Sequence, residues 1–183
     1  MYCYIVGVSM NLNITRLLKN YSNARQSWEA WCYMINYNCK EKDPKTLRYI
    51  DTNDLLFHLR YLAMKDFHIE LYKVLKENKN NQDNIFTLLK NVPDSDTIKK
   101  KNANSNLVEL ENNKDTIKEL CDIRDKFYAH LDKDYETYVK AGTRLANILK
   151  CFIAIESALV TLTSLDILQS CLQEIPSRDD LHF

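Results

Sequence analysis

The chain has 183 residues, a length typical of one domain, and at that length roughly 70% of the unfolded surface can be buried without help from disulfides or metals. Hydrophobic residues make up 45% and charged residues 27%, and the formal net charge is +0, so no overall field attracts nucleic acid or an acidic membrane. With only two glycines and three prolines, the chain lacks the regularly spaced turn residues of strand-rich folds, and this composition favours an all-α protein.

The six cysteines include no Cys-x-x-Cys pair, so the usual zinc arrangement is not present. Reduced thiols in a cytoplasmic protein are the expectation, with no metal and no cofactor. The longest apolar stretch, residues 151–165, is interrupted by Glu156 and is shorter than the ~20 residues of a membrane-spanning helix. We therefore expect no membrane contact. Translation from either Met1 or Met10 is compatible with the sequence.

In chain order, residues 1–11 are expected to be flexible or peripheral. Apolar residues at steps of three and four then predict a first helix over residues 12–38. Residues 40–45 are predicted as a loop, and a second helix is predicted over residues 52–79. Arg60 falls on the apolar stripe of that second helix, so it belongs either to the buried face or to a rim from which its charged end reaches water.

A short helix is predicted over residues 84–91. Residues 93–106 are polar and are predicted as a mobile surface loop. The three lysines at positions 99–101 are interpreted as a solvated stretch, with an electrostatic contact to a phosphate backbone as the alternative. A third long helix is predicted over residues 107–128.

The last long helix is predicted over residues 134–173, with Asp134 as its N-cap, and residues 174–183 are expected to be flexible or peripheral. The sequence has no internal repeat. Four long amphipathic helices and one short helix predict a single domain over residues 1–183, folded as an up-and-down helical bundle.

One segment, residues 124–130, contains side chains of the kinds that bind anions and transfer protons. Arg124 falls on an apolar stripe, seven residues after Ile117 and four before Tyr128. A buried guanidinium without a partner is costly. Arg124 therefore needs an anionic partner, for which Glu156 and Asp66 are candidates, or a water-filled cleft, or a second subunit.

His130 is the second group of this segment. On a continuous helix it would lie about 120° around the axis from Arg124, so the two side chains converge only if the helix ends near Ala129. A histidine at a helix C-terminus is favoured in its protonated form by the helix dipole. Histidine is also the side chain best suited to proton transfer near neutral pH.

Residues 124–132, Arg-Asp-Lys-Phe-Tyr-Ala-His-Leu-Asp, resemble the motif of the HEPN superfamily, in which a short run of four to six residues separates an arginine from a histidine. Here five residues separate them, and the first is the polar Asp125. The segment is similar to the abortive-infection (AbiU-type) branch, which the first helix with Trp28 and Trp31 and the Leu-Arg-Tyr-Leu of residues 59–62 also fit.

This resemblance implies an all-helical homodimer that cuts RNA without a metal and serves as a defence or toxin effector, with an antitoxin protein as a candidate partner. Arg124 and His130 are the implied catalytic residues at a cleft shared by two subunits. Arg124 would bind the phosphate and His130 would move protons during attack by the RNA 2′-hydroxyl. The residues expected to support this site are Asp125, Tyr128, Glu156 and Arg60.

Two alternatives stay open from the sequence. One is a non-catalytic HEPN-like module that binds nucleotides, nucleic acid or protein. The other is a sensing or scaffold bundle in which Arg124 and Glu156 form a structural salt bridge and His130 plays no part. The zero net charge weighs against strong, stable RNA binding.

Overall fold

The computed structural model describes residues 11–35, 44–78, 82–125 and 145–172, apart from the side chains of Thr46 and Leu47. Within these ranges 86% of the residues are helical and no strand occurs. The predicted all-α bundle is therefore confirmed for the described part of the chain.

The described residues form eight helices, which we number in chain order. They are α1 (Leu12–Met34), α2 (Pro44–Thr52), α3 (Asp54–Leu75), α4 (Ile85–Lys90), α5 (Thr97–Asn112), α6 (Lys114–Ile123), α7 (Leu145–Leu162) and α8 (Leu165–Leu172).

Four of these helices begin at an asparagine or aspartate whose side chain accepts a hydrogen bond from the first turn. Such N-caps satisfy backbone N–H groups that have no partner inside the helix. The caps are Asn11 on α1, Asn53 on α3, Asn84 on α4 and Asp96 on α5. The short helix predicted to start near residue 84 is confirmed, and its first residue is fixed by this cap.

The core is centred on aromatic residues from α1, α3 and α7. The Trp28 ring lies 5.2 Å from Phe67, 5.5 Å from Phe152 and 5.6 Å from Trp31, measured between ring centroids. All four side chains are buried. A single cluster of buried residues joins this centre to α4, α5, α6 and α8.

The two longest helices, α1 and α3, run antiparallel along each other. Near the middle of both, the Ser27 hydroxyl lies 2.5 Å from the Asp66 carboxylate. Near the start of α1, Arg16 reaches Asp83, which follows the end of α3. The start of α1 therefore lies near the end of α3 and the two middles lie together, as in an antiparallel pair.

Helix α7 is the one described helix that is long and apolar enough to cross a membrane, judged by length and composition alone. It is also the central core helix, with eight buried residues that pack against α1, α4, α5 and α6. A buried core helix meets the same criteria, and the packing of α7 accounts for its apolar character.

The second helix, predicted over residues 52–79, is confirmed as α3 (Asp54–Leu75), whereas two other predictions between residues 40 and 106 were wrong. The end of the predicted loop over residues 40–45 belongs to α2, which is separated from α3 at Asn53 because the Asn53 side chain caps α3. The predicted surface loop over residues 93–106 contains most of α5. Its buried face includes Ala103 and Asn106, which lack the large apolar side chains from which helical periodicity is detected.

Of the three lysines at positions 99–101, Lys101 is exposed as the solvated interpretation predicts, whereas Lys99 and Lys100 make contacts to the backbone of neighbouring segments. The Lys99 ammonium donates to the carbonyl of Leu162 at the end of α7, at 3.1 Å. The Lys100 ammonium donates to two backbone carbonyls at the end of α4, that of Val92 at 2.8 Å and that of Lys90 at 3.3 Å. Cations at helix C-termini are stabilising because they face unpaired carbonyls, so these two lysines join α5 to its neighbours.

The predicted third and last long helices are each interrupted. Asn113 separates α5 from α6, and Thr163–Ser164 separates α7 from α8, where the Ser164 hydroxyl accepts from the backbone N–H of Ile167. The first helix is confirmed over Leu12–Met34. The remainder of the predicted first helix, residues 126–144 and the tail from residue 173 lie outside the described residues.

Candidate functional site

Arg124 and Asp125 follow α6 directly, where the last turn widens into a π-helical conformation. They lie against the C-terminal end of α3, with which α6 packs. Single π turns in α-helices are frequently found at functional sites. Together with Tyr72 and Lys76 from α3 these residues form a group that we call the α3–α6 cluster.

The Asp125 carboxylate is the centre of the α3–α6 cluster. Its Oδ1 accepts a hydrogen bond from Nη1 of Arg124 at 2.9 Å, and its Oδ2 lies 3.6 Å from Nζ of Lys76. The Tyr72 hydroxyl also interacts with this carboxylate. Partial burial alone would raise the pKa of Asp125, but the Arg124 hydrogen bond, the Lys76 charge and the Tyr72 hydroxyl together hold that pKa below its usual value.

The Tyr72 ring supports both cations of the cluster. The guanidinium carbon of Arg124 lies 4.4 Å from the ring centroid, and Nζ of Lys76 lies 5.6 Å from it. A cation within about 6 Å of an aromatic face is attracted by the ring quadrupole. Burial and the negative charge of Asp125 raise the pKa of Tyr72, which keeps its hydroxyl protonated.

The charged side chains of the cluster are half-buried. Arg124, Asp125 and Lys76 are 36%, 38% and 39% exposed. Each is thus fixed on one side by protein and open to solvent on the other. The cluster holds two cations and one carboxylate, and the carboxylate of Asp122 is a further negative charge near Lys76 and Asp125. The half-exposed cations remain within reach of an anion that approaches from solvent.

The predicted partners of Arg124 on other helices were wrong. Glu156 instead accepts from the Tyr21 hydroxyl at 2.5 Å and contacts Arg25 at 3.4 Å. Asp66 accepts from Ser27. The sequence pattern failed because Arg124 is not inside the core: a residue that emerges half-exposed at a helix end can pair with its own neighbour.

Tyr21, Arg25 and Glu156 make up the α1–α7 cluster, which faces the core. Tyr21 is 0% exposed. Burial and the charge of Glu156 raise the pKa of Tyr21, so the phenol remains a hydrogen-bond donor. Arg25 lies over the Phe152 ring, 5.4 Å from its centroid. Glu156 therefore belongs to a contact that holds α1 against α7, and it does not lie with Arg124.

Arg60, the other supporting residue, is also separate from Arg124. It pairs with Asp51 at 2.6 Å and lies over the Phe57 ring at 4.8 Å. It is twelve residues before Tyr72 on the same helix, a separation of about 18 Å along the axis. Its stretch of α3, from Asp54 to Ala63, contains no buried residue, which agrees with the rim position and not with the buried face.

His130 and Tyr128 lie outside the described residues, as does the predicted helix end near Ala129. Their convergence with Arg124 stays a prediction. Tyr72 and Lys76, in contrast, are site residues that sequence reasoning missed. The available signal was an aromatic residue and a lysine four residues apart at the end of a helix, which places both on one face.

Among the described residues, no group of three His, Cys, Asp or Glu side chains could hold a metal ion. Cys121 and Cys151 are buried thiols, and burial raises their pKa values to about 11 and about 12. At neutral pH both are therefore protonated and poorly nucleophilic.

Comparisons of the chain with protein-family models, curated proteins and solved structures found no match. Over the described residues the protein is an all-helical bundle, and the half-exposed charged groups of the α3–α6 cluster at the end of α6 are its candidate site.

Proposed function

We propose that this protein is a metal-independent endoribonuclease of the HEPN type, a defence or toxin effector that works as a homodimer. The observation that carries the proposal is the state of Arg124. Its guanidinium is supported by the Tyr72 ring, oriented by Asp125 and open to solvent, six residues before His130 in the sequence.

The chemistry needs a cation at the phosphate and groups that exchange protons. The RNA 2′-oxygen attacks the adjacent phosphorus, the bond from phosphorus to the 5′-oxygen breaks, and a 2′,3′-cyclic phosphate forms. Arg124 stabilises the charge that develops on the phosphate oxygens. The two His130 side chains of a dimer accept the proton of the 2′-hydroxyl and deliver one to the leaving 5′-oxygen.

A homodimer fits this scheme because a two-fold axis brings the same segment of each subunit to one place. Residues 124–130 of both chains would then line one cleft. In this scheme the π-helical turn at Arg124 and Asp125 is adjacent to the cleft, and the half-exposure of Arg124 leaves it accessible to RNA.

The test compares cleavage of single-stranded RNA in buffer with a metal chelator. We expect Arg124→Ala and His130→Ala each to lose at least about 100-fold in rate, since charge stabilisation and proton transfer each contribute that much or more. Arg48→Ala is the matched control, because Arg48 is an exposed arginine on α2, which directly precedes the start of α3, whereas the cluster lies at the other end of α3. The wild-type products should carry 2′,3′-cyclic phosphate ends.

Equal cleavage by wild type and both site variants would refute the proposal, and so would activity that requires a divalent metal. The second candidate function is a non-catalytic HEPN-like module that binds nucleotides, nucleic acid or protein. It is favoured by the α3–α6 cluster itself, which offers two cations and an aromatic ring for binding without any use of His130. Arg124-dependent binding without cleavage would select it.

A further inference from the structure

Lys76 and Arg124 come from different helices and converge on one carboxylate. Each cation contacts a different oxygen of Asp125: Arg124 contacts Oδ1 at 2.9 Å and Lys76 contacts Oδ2 at 3.6 Å. A phosphate presents two neighbouring oxygens in the same way as a carboxylate does, and arginine binds both groups with similar geometry. The position between the two cations is therefore suited to a phosphate group.

We propose that Lys76 is a second phosphate-binding residue of the Arg124 site and that Asp125 occupies the place of the substrate phosphate when no substrate is bound. This inference rests on the proposed function, since RNA supplies the phosphate. Binding replaces the contacts of Asp125 with contacts to the phosphate, and no covalent step is involved.

The charges of the cluster support this exchange. Asp125 shares one negative charge between two cations, and an RNA phosphodiester, which also carries one negative charge, would replace it with the charge balance of the cluster unchanged. The three charged side chains are each between 36% and 39% exposed, so a phosphate can approach from solvent. Because these contacts are only partly buried, exchanging one anion for another costs little.

Tyr72 keeps the two cations in place while the anion changes. Its ring contacts both Arg124 and Lys76, and these contacts are made without the Asp125 carboxylate. Tyr72 is thus a positioning residue for both cations, and its hydroxyl is a further donor to whichever anion is bound.

The experiment measures binding of a fluorescent single-stranded 2′-O-methyl RNA by anisotropy at several salt concentrations. Methylation removes the nucleophile, so binding is separated from cleavage. We expect Lys76→Met to raise Kd about five- to tenfold and to make the slope of log Kd against log salt less steep by about 0.7, the value for one phosphate contact on a single strand. Asp125→Asn should lower Kd, because the competing carboxylate charge is removed.

The matched control is Lys114→Met, which removes the same charge from an exposed pair with Glu111 at the other end of α6. It should leave Kd and the salt slope unchanged. Lys76→Arg keeps the charge and should restore binding close to wild type. Thermal unfolding of each variant checks that it is folded.

The inference is overturned if Lys76→Met behaves like Lys114→Met, or if Asp125→Asn weakens binding. Its failure differs from that of the proposed function. RNA cleavage that needs Arg124 and His130 but is unaffected by Lys76→Met would leave the ribonuclease and remove this inference. If RNA binding depends on Lys76 but the protein cleaves no RNA, the role of Lys76 is retained and the proposed ribonuclease function is refuted.

Discussion

The α1–α7 cluster and the α3–α6 cluster use the same three kinds of group in different surroundings. Each contains a tyrosine, at least one cation and a carboxylate that the tyrosine hydroxyl contacts. In the first, Tyr21 is completely buried and the contact joins two core helices. In the second, the charged groups are more than a third exposed. Because Arg25 and Glu156 are themselves 24% and 32% exposed, the clusters differ mainly in the tyrosine, which is buried in the first and half-buried in the second. The comparison teaches that burial of the shared hydroxyl, and not residue type, separates a contact that holds the fold from a site that can bind a ligand.

The largest expected difference between the buried interior and the exposed α3–α6 cluster is their response to acid. It comes from the buried His68 on α3. Burial lowers the pKa of His68 to about 4, although its hydrogen bond to the Met64 carbonyl opposes this shift. Between pH 6.5 and 4 the unfolded chain binds a proton at this residue that the folded chain does not. Stability should therefore fall as the pH falls through this window, by roughly 3 kcal/mol in total.

Denaturant unfolding at pH 7, 5.5 and 4.5 measures this loss. His68→Gln should flatten the pH dependence, whereas His58→Gln should retain it because His58 is exposed. The α3–α6 cluster should stay ion-paired over the same range, because the pKa of Asp125 is already below its usual value. An unchanged slope in His68→Gln would contradict the assignment of the effect to the buried imidazole.

Removing the carboxylate from each cluster is the second test. Glu156→Ala leaves the buried Tyr21 hydroxyl without its acceptor, and the free energy of unfolding should drop by about 2 kcal/mol. Asp125→Ala breaks only half-exposed contacts, so a loss below about 1 kcal/mol is expected. Urea unfolding of the two variants compares them directly, and equal losses would remove the distinction between the clusters.

Changes to the two tyrosines should give the smallest effect. Tyr72→Leu removes the ring beneath Arg124 and Lys76 and should weaken RNA binding two- to fivefold, the equivalent of about 0.5–1 kcal/mol for an exposed cation–π contact. Tyr72→Phe keeps the ring and should bind nearly as wild type. Tyr21→Phe should reduce stability while leaving Kd unchanged. An altered Kd in Tyr21→Phe would show that the α1–α7 cluster takes part in binding.

Much of the fold could be predicted, and the failures have physical causes. Helices α1, α3 and α7 carry regular apolar stripes and were recognised. The first part of α5, up to residue 106, was missed because its inner face uses Asn106, whose amide donates to the Thr161 hydroxyl and whose carbonyl accepts from Ser157 on α7. Such polar contacts between helices replace apolar burial and leave no hydrophobic period.

The candidate site was only half predictable. Arg124 and Asp125 could be singled out because a charged pair interrupts an apolar stripe and resembles a known motif. Tyr72 and Lys76 could not, because they lie about fifty residues earlier in the chain and join the site only through the packing of α6 on α3. The predicted ion-pair partners of Arg124 were wrong for the same reason. Sequence periodicity predicts which face of a helix is buried, but it does not show where along the helix the contact with its neighbour ends.

By itself, the sequence determined that this protein is helical, through few turn residues and long apolar stripes, and it singled out residues 124–130 as the candidate site. Only the tertiary structure decided which charged groups meet. Glu156 contacts Tyr21 and Arg25 because α7 packs on α1. Arg124 is half-exposed near Lys76 because α6 ends against the last turn of α3. Periodicity is a local property of the chain, whereas ion pairs between helices depend on distances that packing alone sets.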